Sequence, residues 1–280
     1  TDFYILQVTK VSKDNILDVL SPITLNALVD APLSLISGTF RLSNAATNIT
    51  AIRANGAVAA NAIGANKRVW VAAGVFNVTS SWRLNLGGEL RVSGGTANIG
   101  NADNHFLDYL NNSALVIEGG ALNIAARITG NASDGSSNGS YTQSGGTVTL
   151  NTFASSSTTR QLLQLGSAVS FTMSGGTIIV RKQSSHTTTD ILISSATSSI
   201  TGGTLQIGDA STPVNQNIRI NSIVPFYNVT VNATNAPTAQ LVTNNLTVKN
   251  NLTISGGTLD ANNLNLNVAG HWTNSSTFTP

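Results

Sequence analysis

Phe171-Thr-Met-Ser-Gly-Gly-Thr-Ile-Ile-Val180 is the stretch that decides the fold. Apolar residues at 171 and 173, and again at 178 and 180, alternate with other residues on either side of a diglycine. Alternation of period two marks a strand with one buried face, and here it is written twice. The frame apolar-x-apolar-x-Gly-Gly-x-apolar-x-apolar returns, with mostly Val, Ile, Leu, Met and Phe in its apolar places, at Gly94-Gly95, Gly119-Gly120, Gly145-Gly146, Gly175-Gly176, Gly202-Gly203 and Gly256-Gly257. The first glycines follow one another at intervals of 25, 26, 30, 27 and 54, the last being twice 27. A strand-built repeat of that length predicts a solenoid or a propeller.

Strand count separates the two. A propeller blade needs four strands in roughly 40 to 45 residues, whereas about 26 residues hold three short strands and their turns. The expected fold is therefore all-β: a right-handed parallel β-helix with about three strands per coil of roughly 25–30 residues. About ten coils at about 4.8 Å each make a rod about 50 Å long. The diglycines read as structural corners, because glycine supplies positive φ and close backbone approach. A phosphate loop would open a helix, and period-two alternation follows each diglycine instead.

Residues 1–40 are the least repetitive and are expected to form a lead-in segment or irregular first coil, with Asp14–Leu20 as a short helix or a strand pair. Residues 41–280 are expected to form the β-helix, with a degenerate coil around Ile218–Val231 filling the doubled interval. The chain opens in alternation at Phe3–Val8 and closes at Phe278-Thr279-Pro280, which predicts a piece of a longer polypeptide.

Of 280 residues 41% are apolar and only 9% charged, with Ser, Thr, Asn and Gly in place of charge. An ordinary globular chain is about a quarter charged. Fourteen basic against twelve acidic side chains leave a formal charge of +2, and the basic pairs Lys67-Arg68 and Arg181-Lys182 make no stripe. Nucleic acid is therefore not an expected partner. There is no cysteine, hence no disulfide scaffold, and no apolar run reaches the length of a membrane span.

Chemistry-bearing residues are sparse. The densest group is Asp103-Asn-His105-Phe-Leu-Asp108, where two carboxylates and an imidazole in one short stretch suit either an acid/base pair or a polar turn, and the turn is the preferred reading. The histidines lack metal-ligand spacing, so neither a metal nor a cofactor is expected. A Ser/His/Asp triad stays open, although no nucleophile elbow is written. Trp70, Trp82 and Trp272 suit core or end-coil packing better than sugar stacking. Thr142 and Thr172, with Thr177 and Thr204, suggest a hydroxyl array able to match ice or polysaccharide. Thr is also simply a good outward strand residue.

The stretches Tyr141–Leu150, Phe171–Val180, Thr201–Gly208 and Asn251–Asp260, together with Gly270-His-Trp-Thr-Asn-Ser-Ser-Thr-Phe-Thr279, resemble large repetitive β-helical surface proteins of bacteria, adhesin-like cargo of the type IX secretion system that includes gliding-motility adhesins. The resemblance covers about residues 85–280 and rests on architectural motifs. It implies an extracellular location on the bacterial outer surface, contact with the secretion machinery, and a surface polysaccharide or another surface protein as a binding partner. The expectation is a non-catalytic structural or adhesive segment; the alternatives are a polysaccharide-binding or polysaccharide-degrading β-helix and an ice-binding β-solenoid.

Overall fold

The computed structural model describes residues 1–25, 32–52, 62–79, 83–130, 137–232 and 234–280. It is a parallel β-solenoid, and its described residues contain no helix. Each coil contributes a strand to each of three faces, and every strand pair among the described residues is parallel. The first face stacks Ile16–Val19, Gly38–Leu42, Lys67–Val71, Glu89–Val92, Ser113–Ile117 and Gly139–Gln143 on the first half of Val169–Val180. The second face follows the diglycines from Gly94-Gly95 to Gly202-Gly203, and the third closes the coil as a ten-stranded sheet.

Inward residues stack like on like. Leu17, Phe40, Val69, Leu90, Leu115, Tyr141 and Phe171 form one column. Phe76, Ala97, Leu122, Val148, Ile178, Leu205 and Val229 form another. Leu84, Leu107, Ile128, Leu163, Ile191 and Ile220 form the third. All but Leu17 are at most 2% exposed. Each large aliphatic or aromatic side chain so buried contributes about 1.5–3 kcal/mol. Residues 1–40 join the stack: Ile16–Val19, within the segment read as helix or strand pair, is a strand paired with Gly38–Leu42.

The diglycine corners have two separate causes. A Cβ on Gly119 would lie 2.5 Å from the Ser93 carbonyl oxygen of the coil beneath, so the first glycine is required by close approach. Gly146 has φ +64° and a Cβ there would lie 2.7 Å from the Gly119 carbonyl, so the second is required by conformation as well. At Gly175-Gly176 the strand Val169–Val180 runs through the corner unbroken, pairing with Gly139–Gln143 before it and Thr147–Leu150 after it.

Gly256-Gly257 departs from the expected column. Leu252–Ile254 before it pairs with Val229–Val231 on the second face, and Thr258–Asp260 after it pairs with Thr238–Leu241 on the third. This diglycine therefore turns the next corner of the coil, where Gly257 lies against Pro237. The cause is shortening of the coils: Leu205, Val229, Leu252 and Trp272 stack on one another at sequence intervals of 24, 23 and 20. The interval of 54 is not two coils of 27. At the first corner of these late coils the diglycine is absent and asparagines bond from coil to coil, with Asn250 Nδ2 donating to Asn228 Oδ1 at 3.0 Å and the His271 amide to Asn251 Oδ1 at 3.0 Å.

One polar residue interrupts the core of the first face. Gln143 is fully buried between Ile117 and Met173. Its Oε1 accepts from Tyr141 Oη at 2.7 Å, and its Nε2 reaches the carbonyls of Gly145, Gly146 and Thr177 at 3.2–3.3 Å.

Two outcomes follow in chemical denaturation. Gly146→Ala lowers stability by about 2 kcal/mol or more, while Gly64→Ala, whose Cβ would meet nothing nearer than Lys67 Cε at 3.6 Å, stays within about 0.5 kcal/mol. Gln143→Leu costs about 1–3 kcal/mol by orphaning the Tyr141 hydroxyl, and the double variant Tyr141→Phe/Gln143→Leu regains most of that loss.

Candidate functional site

From Arg83 onward the corners of the coil differ in what they carry. The first corner is closed by three residues in successive coils, 93–95, 118–120 and 144–146. The corner between the second and third faces carries the longer connections 100–105, 151–162, 181–190 and 208–216, with the short 125–127 among them. These loops are tied to one another. Asn151 is fully buried with φ 61°, its amide donates to the carbonyls of Lys182 and Gln183 at 2.9 Å, and its Oδ1 accepts the Ser155 amide. The Ser156 amide donates to the Asp103 carbonyl at 3.3 Å, and that of Ser185 to the Ser155 carbonyl at 3.0 Å.

Between loops 100–105 and 151–162, against the third face, lies a cavity of about 330 Å³. Arg83, Arg127 and Arg160 line it together with Phe106. Arg83 stands in register with Phe106, and Arg127 immediately precedes Ile128, which pairs with Leu107. Cation, aromatic ring and cation thus come from three successive coils. The Arg127 guanidinium carbon lies 4.0 Å from the Phe106 ring centroid. Its Nη1 donates to Ser155 Oγ at 3.4 Å, and its buried Nε has no hydrogen-bond partner. The remaining wall is hydroxyl and amide: Thr129, Ser156, Ser157, Thr159 and Asn104.

Asp108 lies beneath the arginines, 1% exposed, with Oδ2 3.5 Å from Arg83 Nη1 and Oδ1 without a partner. Burial raises its carboxyl above the usual carboxylate range, against the opposing pull of Arg83, Arg160 and Arg127. Burial likewise lowers Arg127 to about 10; Arg160 pushes the same way and Asp108 opposes.

Asp103, His105 and Asp108 do not converge as one acid/base group. Asp103 is exposed and contributes its main-chain carbonyl to the loop network. His105 is half-buried, its Nδ1 accepts the Asn101 amide at 3.2 Å, and burial lowers its pKa against the pull of Asp103. Thr142 and Thr172 are neighbours on the first face, Thr177 and Thr204 on the second, so a corner divides the four.

Trp70, expected in the core or an end coil, faces outward. It stands in register between Arg41 and Arg91, whose guanidinium carbons lie 4.1 and 4.6 Å from its ring, and its Nε1 donates to Ser93 Oγ at 2.8 Å. Both ring faces are therefore occupied. Trp272 packs edge-on to Phe278 at 4.9 Å in the last coil, and Trp82 lies outside the described residues.

Ser184, His186 and Asp190 share one loop without forming a triad. Ser184 Oγ donates to Asp190 at 2.6 Å, and His186 Nδ1 accepts the amides of Thr188 and Thr189 at 3.3 and 3.1 Å. Asp190, fully buried, also accepts the amide and Nε of Arg219, both at 2.9 Å. Among the described residues no group of three His, Cys, Asp or Glu side chains could hold a metal ion, and no helix is long and apolar enough to cross a membrane.

The arginines of the cavity are not distinguished by sequence reading. Their one signal is an Arg–aromatic–Arg alternation at 83, 106 and 127, visible only once the register is known. Comparison with known protein families, curated proteins and solved structures finds no match.

The two buried aspartates should respond oppositely to neutralisation. The folded chain holds the Asp108 proton more tightly than the unfolded chain does, a contribution fully present below the ordinary carboxyl value of 3.8 and lost as pH rises through the raised folded value. At pH 7 Asp108→Asn is expected to keep or raise the denaturation midpoint. Asp190→Asn, which leaves Arg219 unpaired, lowers stability by about 3 kcal/mol.

Proposed function

We propose that this chain is a non-catalytic adhesive segment of a secreted bacterial cell-surface protein, a stiff rod that presents a binding edge to a surface polysaccharide or another surface protein. The observation that carries the reading is the division of labour between corners: a glycine corner with no room for insertions, and a second corner where long loops tie to one another and enclose a cationic cavity. Loops fixed on a rigid scaffold are where binding residues concentrate. The resemblance to type IX cargo supports a location outside the cell, where gliding motility is one use for adhesion.

The non-catalytic part of the reading rests on access. Asp108 is buried, the Ser184 proton is engaged by Asp190, and two main-chain amides occupy His186 Nδ1. A polysaccharide-degrading reading is favoured by one observation, the meeting of Asp108 with basic residues at a cavity.

The two readings separate in one experiment. Beads coated with the protein are expected to be retained under flow on films of acidic bacterial polysaccharide while no reducing ends or unsaturated products are released. Release of such products, abolished by Asp108→Ala, would replace adhesion with catalysis.

A further inference from the structure

We infer that the cavity bounded by Arg83, Arg127 and Arg160 is a subsite for the carboxylate of a uronic-acid residue in an acidic polysaccharide. The inference builds on the adhesive reading and names its ligand class. The lining of the cavity selects the ligand. Guanidinium groups present planar, paired donors that match a carboxylate in bidentate fashion. Arg127, which lines the cavity, is more than nine-tenths buried and held over the Phe106 ring, so its side chain is fixed in place beside it.

The rest of the lining distinguishes a sugar acid from a bare oxyanion. Hydroxyls of Ser157 and Thr159 can both donate to and accept from ring hydroxyls, a capacity that an ion such as sulfate does not use. At about 330 Å³ the cavity falls at the small end of the range for ligand sites, enough for one sugar ring with its neighbours running along the loops. Charge fits as well: Arg83, Arg127 and Arg160 all line the cavity, and cations there attract an anion. Asp108 is a positioning residue here, since it is buried, pairs with Arg83 and does not itself line the cavity. Its raised pKa and the lowered pKa of Arg127 agree with a site that holds charge against its own burial.

The test is calorimetric titration of the whole chain with a trimer of galacturonate, with the fully methyl-esterified trimer, and with sodium sulfate. The galacturonate trimer is expected to bind, and the ester and sulfate to bind at least tenfold more weakly. Arg160→Gln, on loop 151–162 and half-exposed, should weaken trimer binding at least tenfold, whereas Arg91→Gln, on the first face beside Trp70, should leave it unchanged. Arg127→Gln should act like Arg160→Gln; should that buried position fail to fold, Arg160→Gln decides alone. Equal binding of the ester, sulfate as tight as the trimer, or an unaltered Arg160→Gln overturns the assignment. If the trimer does not bind while coated beads still adhere, the ligand assignment falls and the adhesive rod stands. Cleavage of the trimer would instead remove the non-catalytic reading.

Discussion

Parallel pairing holds consecutive coils one strand spacing apart, about 4.8 Å, so each residue lies directly over the residue in register with it. A side chain in this molecule therefore has to suit its own column before anything else. Aliphatic residues satisfy the rule by packing on their own kind, as Leu90 does on Val69 and beneath Leu115. Asparagine satisfies it by donating along the column: Asn77 to Asn48, Asn98 to Asn77 and Asn123 to Asn98, at 2.8–2.9 Å. Glycine satisfies it where the backbones themselves touch, as at Gly119 above Ser93.

Charge is the hard case, because like charges one spacing apart repel. Arginines in these two columns are separated by an aromatic residue or answered by a carboxylate. Trp70 stands between Arg41 and Arg91, and each outer arginine finds an acid: Asp18 at 3.6 Å from Arg41, and Glu118 in a two-point contact with Arg91 at 2.5 and 2.8 Å. Exposed cation–π contacts contribute about 0.5–1 kcal/mol, so the arrangement tolerates three bulky groups in a row with little net gain. On the third face the same alternation recurs with Arg83, Phe106 and Arg127. There Arg160 adds a third cation, and a single buried carboxylate faces all three. The first arrangement is closed on itself, and the second opens onto a cavity.

The column rule is legible in sequence where it acts on residues close together in the chain. Alternation and diglycine are local, and they specify strands, corners and three faces. The rule is hidden where register depends on loop length. Gly256-Gly257 carries the same frame as Gly175-Gly176, yet the shortened late coils move it one corner along. The local pattern around Trp70 in Lys67–Val71 favours the core or an end coil, whereas the ring stands outward between two arginines that belong to the coils before and after it. Asp108 is visible as part of a dense polar stretch, while its partners Arg83, Arg127 and Arg160 all come from outside that stretch. No local pattern brings the three arginines to it.

The same dependence on register explains why recognition sits at one edge. A loop inserted at the first corner would have to pass the contact between Gly146 and Gly119, where not even a methyl group fits. At the second corner the chain leaves the stack, and the column rule gives way to side-chain ties such as Asn151 to Lys182 and Asp190 to Arg219. Those ties hold loops 151–162 and 181–190 in place without demanding like over like. Unlike residues can then meet. Towards the C-terminus the second corner contracts to residues 255–257 and the coil shortens to the step from Leu252 to Trp272, leaving a rod without walls. The middle coils are thus where loops of the second corner wall a pocket, and that is where the three arginines meet.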